Sequence, residues 1–222
     1  MAEVYGKKPK KFTAAWWEYF WMYYKWHTII GVFAVIAVVS TIYGMVTAEK
    51  YDMTLYYVGN AVISTEQCEE IEKELSPYLE DLDKNGEKSL LFSADYIVDA
   101  QRDPEYYSAI ITKLYASFSD DSTFVYILSR ELADNLSGED EDDCAFTPLD
   151  EWFSGEISED ASYKAHGESR GIEVSQIKLF EELGINLDDH YILLRKAPPK
   201  GSEEYNHAVR FLEKIKTISK NT

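Results

Sequence analysis

Seven residues carry the sharpest chemical signal in the chain: Asp81-Leu82-Asp83-Lys84-Asn85-Gly86-Glu87. Oxygen donors at alternate positions can converge on one cation, and glycine permits the sharp turn between them. The run therefore has the opening pattern of a calcium loop, D-x-D-x-N-G, with Asp81, Asp83, Asn85 and Glu87 as candidate ligands. Ser89 stands at the ninth position. Phe92 stands at the twelfth, where a bidentate Glu is needed. Calcium binding is then weak, or another carboxylate must join. The plainer explanation is an Asn-Gly turn joining a helix to a strand.

Other chemical signals are sparser. The acidic run Glu139-Asp140-Glu141-Asp142-Asp143 suits cations or a basic partner, or is simply a solvated loop. Trp152 and Phe153 fit either an exposed anchor for a partner or a hydrophobic plug. Ser175-Gln176-Ile177-Lys178 matches S-x-x-K, which sets an amine one turn from a hydroxyl, but Ser175 is also a natural helix cap. The chain lacks H-E-x-x-H, G-x-S-x-G, a glycine-rich phosphate loop and paired cysteine motifs. His27, His166, His190 and His207 are scattered singly. Cys68 and Cys144 allow one disulfide or two free thiols. The expectation is no catalytic residue, and no cofactor other than calcium.

Charge narrows the partners. The net charge is −18 over 222 residues, which argues against nucleic acid, since phosphates are bound by clustered Lys and Arg. The distribution is uneven. Residues 1–27 hold Lys7, Lys8, Lys10, Lys11 and Lys25 against Glu3 and Glu18. Residues 28–48 hold no charge, so residues 49–222 carry more than the whole deficit. A basic end and an acidic end around a neutral gap mark a spanning segment.

That gap, Thr28–Ala48, is 21 residues long. At about 1.5 Å per residue it matches a hydrocarbon core of roughly 30 Å. Before it, aromatic residues crowd the stretch from Phe12 to Trp26, including Trp16, Trp17, Phe20, Trp21 and Tyr24. Trp and Tyr favour the headgroup zone, so this flank reads as an interfacial helix running into the span. The basic N-terminus places residues 1–27 in the cytoplasm and 49–222 outside. A signal peptide cleaved after Val46-Thr47-Ala48 is the competing reading, although the apolar run is longer than such signals use.

Residues 49–222 read as one layered α/β domain with a mostly parallel or mixed sheet. Strands are expected at Tyr51–Val58, Ser89–Phe92, Thr123–Leu128, Ile172–Val174 and His190–Arg195. Helices are expected after Ser64, after Asp103, from Ser129 to Leu136, from Ser175 to Leu183 and from Glu203 to Ile218. Residues 137–170 read as irregular. A ligand cleft, if present, belongs at the C-terminal ends of the strands, near Gly59-Asn60, Ser129-Arg130 and the 137–170 segment.

The segments YYKWHTIIGVFAVIAV, DLDKNG, STFVYILSRELADNL, PLDEWF and VSQIKLFEELGINLDDHYILLR resemble uncharacterised single-pass membrane proteins of Gram-positive Clostridia. That resemblance spans most of the chain and implies no activity. The strand–helix pair at 123–136 with the following Pro-Leu-Asp is similar to a lobe of extracellular solute-binding proteins. The uncharged span, the intact-looking α/β domain and the missing catalytic signatures point to a plasma-membrane-anchored, extracytoplasmic binding or interaction module. Its expected partners are membrane lipid and an unknown protein or small-molecule ligand. A structural or accessory subunit of a membrane complex is the alternative, and an unrecognised hydrolase the third.

Overall fold

The computed structural model describes residues 10–46, 51–120, 122–153, 161–198 and 202–220, with side chains omitted for 44–46 and 216–220. Lys7, Lys8, the Thr47-Ala48 end of the expected span, Glu49, Lys50, Asp121, Gly155 and Pro199 lie outside these residues. The chain divides into two units, Met1–Glu49 and Lys50–Thr222.

The first unit is one helix, α1 (Ala14–Val46), of 33 residues. The aromatic flank and the uncharged run are therefore continuous along one axis of about 50 Å. Rings four residues apart stack along it, Trp16–Phe20 at 5.4 Å and Phe20–Tyr24 at 5.6 Å, and Phe12, just before the helix, tilts against Trp16 at 5.4 Å. Thr41 satisfies its hydroxyl by donating to the Ala37 carbonyl at 2.8 Å. From Ala14 to Tyr43 no residue is buried, and the stretch is long and apolar enough to cross a membrane.

The second unit is built on a six-stranded mixed sheet, as the alternation of strands and helices predicts. Its strands are β1 (Met53–Gly59), β2 (Leu90–Tyr96), β3 (Thr123–Ser129), β4 (Ser162–Ala165), β5 (Glu168–Glu173) and β6 (His190–Leu194). The spatial order is β2-β1-β3-β6-β5-β4. β2, β1 and β3 are parallel, while β6, β5 and β4 are each antiparallel to their neighbours. The helices are α2 (Thr65–Leu75), α3 (Pro104–Ser117), α4 (Arg130–Leu136), α5 (Lys178–Glu182) and α6 (Glu203–Lys220).

Side chains alternate across this sheet, as a period of two requires. Leu55, Tyr57, Phe92, Val125, Ile127 and Ile192 share one core with Ile71 of α2 and Phe211 of α6. Tyr56, Val58, Tyr126, Leu128 and Leu193 share the other with Ile110 and Leu114 of α3 and Leu132 of α4. Each such Val, Leu or Ile contributes about 1.5–3 kcal/mol by leaving water. Trp152 is buried in the first core, so it is a plug rather than an exposed anchor. Cys68 packs on the first core and Cys144 lies in the second. The sheet separates them, and both are free thiols.

Several elements depart from the sequence reading for local reasons. α2 ends at Leu75 and gives way to a short 3₁₀ turn, Ser76–Tyr78, because Pro77 has no N–H to continue the helix. Residues 162–173, expected to be mostly irregular, form the β4–β5 hairpin. His166 and Gly167 both take positive φ, 53° and 82°, as a tight hairpin turn requires. The acidic run folds back on its own cations. Arg170, fully buried, donates to the Phe146 carbonyl and pairs with Glu168 at 2.9 Å and Glu141 at 3.9 Å. Lys196 holds the Glu141 carbonyl at 2.8 Å.

Two charged side chains close backbone groups that would otherwise stand open. Glu72 of α2 accepts the Phe92 N–H at 2.8 Å, covering part of the outer edge of β2. Arg195, following β6, donates to the carbonyls of Ser117, Phe118 and Asp120 at 3.3, 2.7 and 2.8 Å and caps α3. Arg195→Met should therefore cost roughly 2 kcal/mol in unfolding free energy, since charged hydrogen bonds to part-buried carbonyls are lost. Chemical denaturation would read this. A loss within experimental error would show that the cap is dispensable.

Candidate functional site

The parallel strands β1, β2 and β3 all end at one edge of the sheet, at Gly59, Tyr96 and Ser129. β6 starts at that edge, with His190 opposite Ser129, and β5 ends there, with Glu173 opposite Tyr191. The chain leaves β1 for one neighbour and later fills in β3 on the other side. In such sheets ligands bind where the strand order reverses.

At that reversal the structure is filled. A Cβ on Gly59 would lie 2.3 Å from His190 Nε2 and 2.5 Å from the Tyr57 hydroxyl. The two rings stack at 5.6 Å, and the Tyr57 hydroxyl closes the next turn through the Ala61 N–H at 2.8 Å. His190 Nδ1 sits 2.9 Å from the Asp188 carbonyl and so bears the proton there. Its Nε2 has no hydrogen-bond partner among the described residues. Beside it Arg130 donates to Asp189 at 2.8 Å and to the Tyr191 hydroxyl, and lies 4.9 Å over the Tyr191 ring. Gly59 and Ser129-Arg130 thus stand at the expected edge, but they pack rather than line an opening.

An opening lies one strand further along, where β5 ends and β6 begins. It is a half-open cleft of about 510 Å³, a size typical of small-molecule sites. Val174, Ile177, Phe180, Ile185 and Leu187 supply its apolar lining. Ser175, Glu181, Asn186 and Asp188 supply the polar groups. The wall owes its shape to Gly184. With φ at +69° it lets its N–H reach the Glu181 carbonyl at 2.9 Å and the Ile185 N–H reach Phe180 at 2.8 Å. That pair of bonds is a Schellman ending, and it drops Ile185 onto Phe180. Gln67 of α2 ties the same turn down through the Leu183 carbonyl at 3.0 Å. This cleft, formed by residues 174–188, lies where β5 ends and β6 begins; residues 154–160 of the expected 137–170 segment lie outside the described residues. Ser175 and Lys178 are both exposed here, and Ile177 rather than Ser175 precedes α5.

The candidate calcium loop lies at the opposite edge, where β1 and β2 begin. Asp81 and Asp83 each place a carboxylate oxygen within 4.8 Å of one from Asp52. Asp52 is invisible in the loop sequence, because only the start of β1 brings it there. Glu87 is outside this group. The Asn85 side-chain oxygen accepts the Glu87 N–H at 2.7 Å. The loop is closed by its own amides: Asp81 accepts Asn85 at 3.1 Å and Gly86 at 2.9 Å, and Asp83 accepts Asn85 at 3.0 Å. Asp52 accepts Leu82 at 2.7 Å and Ser89 at 2.9 Å. The Gly86 amide foremost holds the Asp81 carboxyl below its usual range. Carboxylate oxygens carry two lone pairs, so the three aspartates retain acceptor capacity for a hard cation.

Comparison with protein families, with characterised proteins and with solved structures finds no match for this chain. The cleft and the loop must be read from their own chemistry.

Two buried histidines give the domain a pH dependence. His207 of α6 accepts the Glu80 N–H at 2.7 Å, and Glu80 in turn pairs with Arg210 at 2.7 Å. Burial pushes the pKa of both His190 and His207 below the usual 6.5. The unfolded chain then takes protons before the folded one does. Their stabilising contribution is complete above 6.5 and is lost as pH falls through the folded-state values. The denaturation midpoint should drop between about pH 7 and about pH 5.5, above the range where carboxylates titrate. A flat profile over that interval would contradict the burial of these rings.

Proposed function

We propose that this chain is a membrane-anchored, extracytoplasmic binding module whose ligand site is the cleft between residues 174 and 188. The observation that carries the reading is the position of this cleft. It opens between antiparallel β5 and β6, at the end of the sheet where the parallel strands also finish, and has an apolar lining with a few polar groups. α1 supports the anchoring: its uncharged stretch finds no cover within its own unit, and lipid is the solvent that suits it. Lysines on the N-terminal side favour a cytoplasmic N-terminus and an outer α/β domain.

A second reading, an accessory subunit of a membrane complex, draws on the aromatic rings stacked along α1. Trp17, Trp21 and Trp26 are all more than half exposed, and they offer large rigid contact area to a partner helix. Cross-linking in native membranes separates the two. A defined heteromeric adduct through residues 16–26 favours the subunit, and an uncross-linked monomer favours the binding module.

The full chain is expected to stay in the membrane pellet through alkaline carbonate. Release of uncleaved chain would remove the anchor. In a thermal-shift panel of sugars, peptides, amino acids and metal ions, a ligand at 100 times its dissociation constant should raise the melting temperature by about 5 °C. Ser175→Trp, an exposed rim position, should fill the cleft and abolish that shift with little effect on the unliganded protein. A shift that survives the substitution would place the site elsewhere.

A further inference from the structure

The cleft at residues 174–188 also carries a charge preference. Its two ionisable lining residues are Glu181 and Asp188, and no Lys or Arg lines it. Asp188 spends its backbone rather than its carboxylate on the fold. Its N–H donates to the Asn186 side-chain oxygen at 2.9 Å and its carbonyl accepts His190. Glu181 likewise uses its carbonyl, which accepts Gly184 at 2.9 Å. Neither carboxylate belongs to an ion pair among the described residues. The same cleft has an apolar floor of Val174, Phe180, Ile185 and Leu187, each no more than 5% exposed, with half-buried Ile177 the most accessible apolar group. The Asn186 side-chain oxygen is taken by the Asp188 N–H, which leaves its NH2 group as a neutral donor, and Ser175 offers an exposed hydroxyl.

We propose that the ligand of this cleft is a small organic cation, an amine or guanidinium carried on an apolar body. The inference rests on the reading of the cleft as the ligand site. Charge complementarity supports it: two carboxylates and a strongly acidic chain attract a cation and repel an anion. The apolar lining takes the body of the ligand, and the rim carboxylates take its head. A simple metal ion would leave the apolar surface unused, and a carboxylate ligand would face like charge.

The full chain, labelled at the isoleucine δ1 methyl groups and held in lipid nanodiscs, can be titrated with three probes of similar size. These are phenethylamine, neutral 2-phenylethanol and anionic 3-phenylpropionate. Phenethylamine is expected to shift the Ile177 and Ile185 methyl resonances saturably, while the methyls of Ile71 and Ile215 stay in place. The double substitution Glu181→Gln with Asp188→Asn, both exposed, should weaken that binding about fivefold. Added salt should weaken binding to the unsubstituted protein. Equal response to all three probes, or unchanged phenethylamine affinity in the double variant, would overturn the cation preference and leave the cleft as a binding site. Silence at Ile177 and Ile185 with every probe would overturn the cleft reading as well.

Discussion

The outer domain turns on the pairing of β3 with β6. β3 is buried at every residue from Thr123 to Leu128, and it is bonded on one side to parallel β1 and on the other to antiparallel β6. Reversing direction at this seam converts a parallel half-sheet into a mixed one. It also delivers two residues that the rest of the fold depends on. At its far end β6 leads into Arg195, which satisfies the open carbonyls of α3. At its near end it sets His190 against Gly59, where no side chain larger than hydrogen fits.

The same seam fills the space at the strand reversal. Because His190 occupies that space, the usual crevice is closed. An opening lies one strand outward, at the junction of β5 and β6. There the short α5 ends on Gly184, and the chain takes a compact path back to the sheet. The lining residues of the cleft are thus contiguous in sequence, yet the cleft exists only because β5 and β6 pair antiparallel at their ends.

Much of this was legible beforehand, and the illegible parts share a cause. β1, β3 and β6 announce themselves as apolar runs, and α2 and α6 as stripes at helical spacing, because burial there follows local periodicity. The α/β class followed from their alternation. The β4–β5 hairpin was missed because its strands are polar and one of them buries an arginine, which periodicity scores as exposed. Its signal was His166-Gly167, a pair suited to a tight turn. Asp52 was missed for a different reason: it meets Asp81 and Asp83 only through strand pairing.

The Glu72 carboxylate on the Phe92 amide has a consequence beyond the single molecule. An open strand edge is a template for the next copy, and its danger grows with the density at which copies meet. Here part of that border is already occupied by the chain itself, reinforced by the Ser76 hydroxyl on the Leu90 amide at 3.2 Å. Copies confined to a plane and pressed side by side would find no free row of donors along that stretch. Pairing through that part of β2 would first have to displace Glu72 and Ser76.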